Sequence, residues 1–498
     1  MKDRDRRGII ILVAGLIAGV LSDYLLRTAL GINVFLWISM ILILVGGFAR
    51  IEKIALEGEG RWLALPLLFF AAAMAWRDSI FLQALDLFLL FLTFGLAVIH
   101  AKSGQIRRAG IVDTLLRLAA GWMRILAGAA SLLFVEIAWQ SLPRGRWFAA
   151  STAYLRGVLL AVPLVLLFGF LFVMADAYFE QLVNRLFVFN LTDSIDELFM
   201  IVFFAWIISG VLHTVFLARD LDFEGLEKWF QPISLSMIEI GTVLGAMNVL
   251  FFLFVLVQFR YFFGGEALLA SAGLTYAEYA RRGFFELVLV AALVLPVLLA
   301  AHWLLEKQNP VHERYFRALA GALTAMVFII MSSAIYRLWL YQSQYGLTEL
   351  RLYAGAFVAW LAIVFVWFLA TVYRGKRERF VFGALTAGFL IAAALHGINP
   401  DALIARINVA RFHENGRFDI DYAVSLSADA VPVLIQALPE LPEAMQAEMA
   451  ASILWRYGTP STTDWRAWNW GRARAWQEIR NHRALLEEYA ALAVFPER

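Results

Sequence analysis

The sequence predicts an all-α protein, a polytopic transmembrane helix bundle of about eleven spans followed by a C-terminal soluble helical tail. Three observations predict it. Hydrophobic residues make up 62% of the 498 and charged residues only 16%, against roughly 25% charged in soluble domains, so the chain cannot cover itself with a polar exterior. The apolar residues collect in runs long enough to cross a hydrocarbon layer of about 30 Å. These runs end near residue 398, and amphipathic periodicity takes over from Asn399. The division is therefore a bundle over 1–398 and a tail over 399–498.

The apolar runs fall at 9–27, 32–49, 61–77, 80–100, 154–176, 197–217, 239–260, 283–305, 318–341, 351–373 and 380–397. Lys2, Arg4, Arg6 and Arg7 before Ile9 look like the start of a signal sequence. The apolar run nevertheless continues past Ala18 with no small-residue cleavage site, so an uncleaved first span is expected. The stretch 111–139 is apolar enough to insert, yet Asp113, Arg117 and Arg124 share one side of its helical wheel. Three charges are costly in lipid and cheap at a surface, which favours an interfacial amphipathic helix there.

Without a crossing at 111–139, the arginines and lysines around 107–108, 144–146, 307–317 and 374–379 all join the basic N-terminus in the cytoplasm. An odd number of spans then sends the tail outside. Pro66, Pro163 and Pro296 lie within spans, where each removes a backbone hydrogen bond. Gly15 with Gly19, and Gly241 with Gly245, have the four-residue spacing that lets helices approach closely.

The net charge of +2 provides no field for nucleic acid, and the absence of cysteine excludes disulfides and thiolate metal sites. No phosphate-loop or nucleophile-elbow pattern occurs, and no two histidines have the spacing of a helical metal pair, so neither a cofactor nor a metal is expected. Asp220 with Asp222, and Asp419 with Asp421, read as surface or capping acids rather than metal ligands.

Polar residues gather instead at span ends that this topology turns outward. Arg282 and Glu286 stand one helical turn apart, after a capping box of Thr275 and Glu278. Tyr336, Arg337, Tyr341, Tyr345, Glu349 and Arg351 end one span and open the next, with Thr348 as the expected cap. A guanidinium as deep as Arg337 needs a carboxylate or an anionic ligand, and Glu286 is the expected partner. Asp86 is the deepest acid, a carboxylate inside the fourth apolar run.

In the tail, Asn399, Pro400 and Asp401 form a helix start. Residues 429–438 and 442–455 read as two amphipathic helices in a HEAT-like hairpin, which alone cannot bury its apolar face and should pack on the bundle or on a protein partner. Trp465, Trp468, Arg472 and Trp476 interleave aromatics with cations. Trp465, Trp468, Trp476 and Ile479 fit one helical stripe, read either as a docked helix or as a lipid-interface belt.

The runs TYAEYARRGFFEL from Thr275, YRLWLYQSQYGLTELRLY from Tyr336 and NPDALIARINVAR from Asn399 resemble a bacterial polytopic inner-membrane family of the DUF4173 and DUF4153 kind, catalogued as domains of unknown function. DIDYAVSLSADAVP from Asp419 and DWRAWNW from Asp464 are similar to its tail. The resemblance implies a multi-pass inner-membrane protein and supplies no active-site assignment. With no catalytic motif, the reading that follows is a non-enzymatic envelope sensor or assembly component, its outward Arg/Glu/Tyr pocket holding an anionic lipid headgroup or an envelope glycan. A transporter or flippase built around Asp86, and a transferase using a lipid-linked donor, are the alternatives.

Overall fold

The structure, a computed structural model, describes residues 3–102, 110–137, 139, 191–218, 235–263, 284–305, 310–459 and 464–492, with isolated residues between 157 and 179. The described residues are helical almost throughout, and ten of the helices are long and apolar enough to cross a membrane; these include Asp113–Glu136, expected to be interfacial, and leave out the 13-residue helix Ala64–Trp76 within the expected span 61–77. The apolar run at 154–176, its Pro163, the 275–282 segment with Arg282, and Asp220 with Asp222 fall largely or wholly outside the described residues.

Two apolar clusters form the bundle. The first joins α1 (Asp3–Leu26), α2 (Ile32–Ile51), α3 (Ala64–Trp76), α4 (Ile80–Ile99), α5 (Ile111–Ser131) and α6 (Leu191–Phe216). The second joins α7 (Met237–Phe263), α8 (Phe284–Leu304), α9 (Pro310–Tyr345) and α10 (Glu349–Tyr373). Helix α11 (Phe380–Ile398) bridges them, placing Phe380 in the second cluster and Ala392 in the first. Close helix approach depends on particular glycines. A Cβ on Gly15 or Gly19 would collide with Ser209 or Ala205 of α6, whereas among the described residues Gly245 meets no neighbour and Gly241 meets only Met237 of its own helix. Pro66 sits in the first turn of α3, where its missing N–H costs little, and Pro296 lies inside α8.

The bundle has two distinct ends. At one, Arg7 pairs with Glu52 at 2.6 Å, the amides of Gly58 and Gly60 donate to Ala101 and His100, and the Tyr373 hydroxyl donates to the Arg317 carbonyl. At the other, the α1–α2, α3–α4 and α9–α10 connections meet the tail.

Helix α5 reaches the first of these ends with both its termini. Near its start, Leu118 and Trp122 lie over Gly95, and Gly121 lies over Ile99, at the final turns of α4. Five residues past Ser131, wound as a π turn, bring Glu136 to Arg4 and within 3.6 Å of His213. Both its ends thus meet the same bundle end, with Gly128 against Gly210 of α6 between them and Asp113 and Arg117 paired at 2.6 Å. Its termini leave the chain on that face, while Glu197 at the start of α6 lies near Arg27 on the tail face.

The tail has its own apolar core. It comprises α12 (Pro400–Asn415), α13 (Ile420–Ser425), α14 (Val431–Ala437), α15 (Glu443–Tyr457), α16 (Trp470–Asn481) and α17 (Arg483–Ala491). Asn399 caps α12 through its side chain, with Pro400 at the first helical position, and Asp419 caps α13. The expected HEAT-like hairpin does not form as a pair, because α14 packs on α12 and α16 while α15 packs on α13 and α17. The apolar faces expected to need the bundle find each other across six short helices instead. The tryptophan stripe is also corrected: Trp465 lies in a separate 3-10 turn, Trp468 follows it, and only Trp476 and Ile479 belong to α16.

Candidate functional site

The tail is tied to the bundle by buried polar contacts. Arg77, between α3 and α4, is buried; its Nε donates to the His396 carbonyl at 2.8 Å, and its guanidinium lies 3.4 Å from Asp429 and over the Trp76 ring. The Asp78 amide donates to the other Asp429 oxygen at 2.7 Å. Asn469 donates to the carbonyls of Met74 and Arg77, both at 2.9 Å, and so caps the carboxyl end of α3. Gly31 lets the Trp468 carbonyl reach the Ile32 amide at 2.9 Å, and a Cβ at Gly31 would stand 2.5 Å from that oxygen. Arg472 reaches Asp78 at 3.4 Å and the Leu30 carbonyl at 2.7 Å.

A second set of ties closes the α9–α10 turn. Asn408 accepts from the Leu347 amide at 2.8 Å and donates to its carbonyl at 2.9 Å, while Arg411 caps the last carbonyls of α9. Gly346 adopts φ +79° there, a conformation that favours glycine. The expected Thr348 cap is replaced: the Tyr422 hydroxyl of the tail accepts from the Glu349 amide at 2.8 Å.

Between these ties lies a cavity of about 1170 Å³. One wall is the start of α4 and α10, with Asp78, Ile80, Phe81, Ala84, Glu349 and Leu350. The other is the tail, with Arg456, Tyr457, Asp464, Trp465, Trp468, Arg472 and Trp476. Burial raises the Asp78 carboxyl to about 6, against the opposing pull of Arg472, and burial also raises Asp401 and Asp429 behind it. Asp464 is lowered by its hydrogen bonds from Arg466.

The residues singled out from the sequence divide. Glu349, Trp465, Trp468, Arg472 and Trp476 line this cavity together. Tyr341, Tyr345 and Arg351 stand outside it: Arg351 lies 4.0 Å over the Tyr341 ring and bonds the Gly346 carbonyl, and Tyr345 packs edge-on against Tyr341. The expected Arg337–Glu286 pair is not formed. Arg337 is buried and donates to Gln258 at 3.0 Å, which also accepts from Ser333, whereas Glu286 is exposed on α8. Among the described residues, Arg337 is held by a neutral amide on α7 and not by Glu286.

Asp86 has a partner the sequence reading missed. His396 of α11 lies 2.9 Å from it through Nε2, both side chains are fully buried, and the His396 ring stacks on Trp76. A signal for it existed, since His396 is a polar residue within the last apolar run. Arg77 and Asp78 were visible as two charges in a three-residue connection between spans. Among the described residues, no cluster of three metal-ligating side chains occurs.

These features define a multi-pass helical membrane protein with a folded helical domain docked on one end of its bundle. The chain belongs to the family described as a domain of unknown function, DUF4153, whose model matches residues 64–437. No curated protein and no solved structure matches it.

Proposed function

We propose that the protein is a non-enzymatic component of the bacterial inner membrane, a sensor or assembly factor, that holds the polar end of an envelope molecule between its bundle and its tail. The N-terminus lies in the cytoplasm and the tail outside. Arg4, Arg7, Arg50, Lys53, Arg374 and Lys376 at the bundle end away from the tail support that orientation through the positive-inside rule. This orientation takes the helix at 111–131 as interfacial, a reading supported by the meeting of both its ends with the same bundle end.

The observation that carries the reading is the cavity, where three tryptophans, two arginines and three carboxylates converge at the membrane surface. Tryptophan faces suit a sugar ring or a headgroup, and guanidinium suits a phosphate. The test is mass spectrometry of small molecules retained by the full-length protein from native membranes, comparing wild type with Trp468→Ala and Arg472→Gln. Loss of a retained species, together with loss of its thermal stabilisation, is expected. An identical retained set in all three proteins would remove the binding function.

The buried Asp86–His396 pair favours a second reading, transport coupled to a proton. Asp86→Asn should then abolish movement of a co-purified molecule across reconstituted vesicles, and unimpaired movement would rule that reading out.

A further inference from the structure

The cavity has two unlike walls. One is the polar and aromatic tail, while Ile80, Phe81, Ala84 and Leu350 of the other belong to the first turns of two helices long and apolar enough to cross a membrane. From Ala84 an exposed apolar stripe continues down α4 through Leu87 and Phe88, about one helical turn on, and Phe91, about two turns on. Every span shows lipid an apolar face; this one has its upper end built into a polar cavity. A molecule filling both halves has a hydrocarbon chain along α4 and a headgroup among the tail side chains.

The charges restrict that headgroup. Arg472 is held by Asp78, and Asp464 by Arg466. Among the described residues, Glu349 and Arg456 line the cavity without an ionic partner, Arg456 donating only to the Val424 carbonyl. One carboxylate and one guanidinium match an ammonium and a phosphate. A purely anionic headgroup would occupy Arg456 and leave Glu349 facing like charge.

We propose that this cavity binds a zwitterionic phospholipid, its amine on Glu349, its phosphate on Arg456 and its acyl chain on the exposed face of α4. The proposal rests on the cavity being a binding site, as argued above, and adds the ligand's class and its entry from the side of the bilayer. It assigns specificity to Glu349, which selects for the amine, and affinity to Arg456 and the α4 stripe.

The test uses the full-length protein, stripped of lipid in detergent, with retention measured by native mass spectrometry. The probes are dioleoylphosphatidylethanolamine, dioleoylphosphatidylglycerol and the chainless glycerophosphoethanolamine. Wild type should retain the ethanolamine lipid about tenfold better than the glycerol lipid. Glu349→Gln should erase that preference by lowering retention of the ethanolamine lipid and raising that of the glycerol lipid, and Arg456→Gln should lower both. Ala84→Trp should expel both lipids while leaving the weak binding of the chainless probe, with its melting temperature recorded to exclude unfolding. Equal retention of the two lipids by wild type, or a preference for the glycerol lipid, overturns the proposal. So does Ala84→Trp that leaves lipid retention intact. If wild type binds the chainless probe but shows no lipid preference, the cavity remains a ligand site and only the lipid proposal falls; if wild type binds no probe, both readings fall together.

Discussion

Arg77 is the residue on which tail docking concentrates most. Its guanidinium is buried against Asp429 and the His396 carbonyl, so removing the acid strands a desolvated charge. Asp429→Ala is expected to cost about 3–5 kcal/mol, read as a lower melting temperature and as faster proteolysis of the tail. Asp78 predicts a pH dependence. Its carboxyl is raised from 3.8 to about 6 in the docked state, so docked protein binds more protons than undocked protein across that window. Docking is therefore strongest below about pH 4, weakens as pH rises through about 6 and is level above it, a change of about 3 kcal/mol at most. Asp401 and Asp429, raised by burial, act in the same direction, and Arg472 opposes them. Asp78→Asn should flatten the melting temperature between pH 4 and 6, and an unchanged slope would rule Asp78 out as its source. At this scale the sequence was half legible. That Asp86 and Arg337 need partners follows from charge in lipid; which partners they take depends on packing between α4 and α11 and between α7 and α9, separations of 310 and 79 residues that no local pattern encodes.

Helix α5 shows what periodicity can decide at the level of an element. Three charges on one side argued for a surface helix, and both its ends meet the same end of the bundle. The chain has no cysteine, so single cysteines report topology directly. Leu115→Cys and Val135→Cys, both at exposed positions, should react with an impermeant maleimide from the same side of the membrane. Labelling from opposite sides would make α5 a span and invert the chain after it. Gly210 fixes the helix in place, since a Cβ there would meet the Ile125 carbonyl at 1.9 Å. Gly210→Leu should release α5 and expose Leu132 and Ile125 to labelling after cysteine substitution. Periodicity was less informative in the tail. The tryptophans at 465, 468 and 476 fit a helical wheel by spacing alone, but Asp464 and Asn469 each cap a separate element and break the wheel between them. The two helices read as a hairpin were correctly amphipathic, and amphipathicity does not name the neighbour that covers the face.

For the whole molecule, hydropathy made most of the bundle readable, because lipid favours helices of spanning length; of the eleven expected runs, nine coincide with described helices long and apolar enough to cross. The docking of the tail was not readable, since it rests on backbone carbonyls at Leu30, Met74, Arg77 and Leu347 that carry no residue signature. An alkaline phosphatase fused after Ala491 should be active only if the tail lies outside the cytoplasm; activity of a cytosolic reporter at the same site would reverse the orientation proposed above. Gly346→Ala, at a left-handed φ beside Asn408, should weaken tail docking by about 1 kcal/mol or more while leaving spans inserted, which separates docking from insertion.

The contact between Arg472 and Leu30 joins positions 442 residues apart. On a ribosome the first hairpin is threaded into the membrane long before the segment that clasps it exists, so its connecting loop must wait unclasped through the synthesis of nearly every other helix. Quality control of this protein would then have one late checkpoint. A nascent chain truncated before Asp464 would possess all its spans and still leave the α1–α2 turn open, visible to surveillance proteases until the final helices arrive.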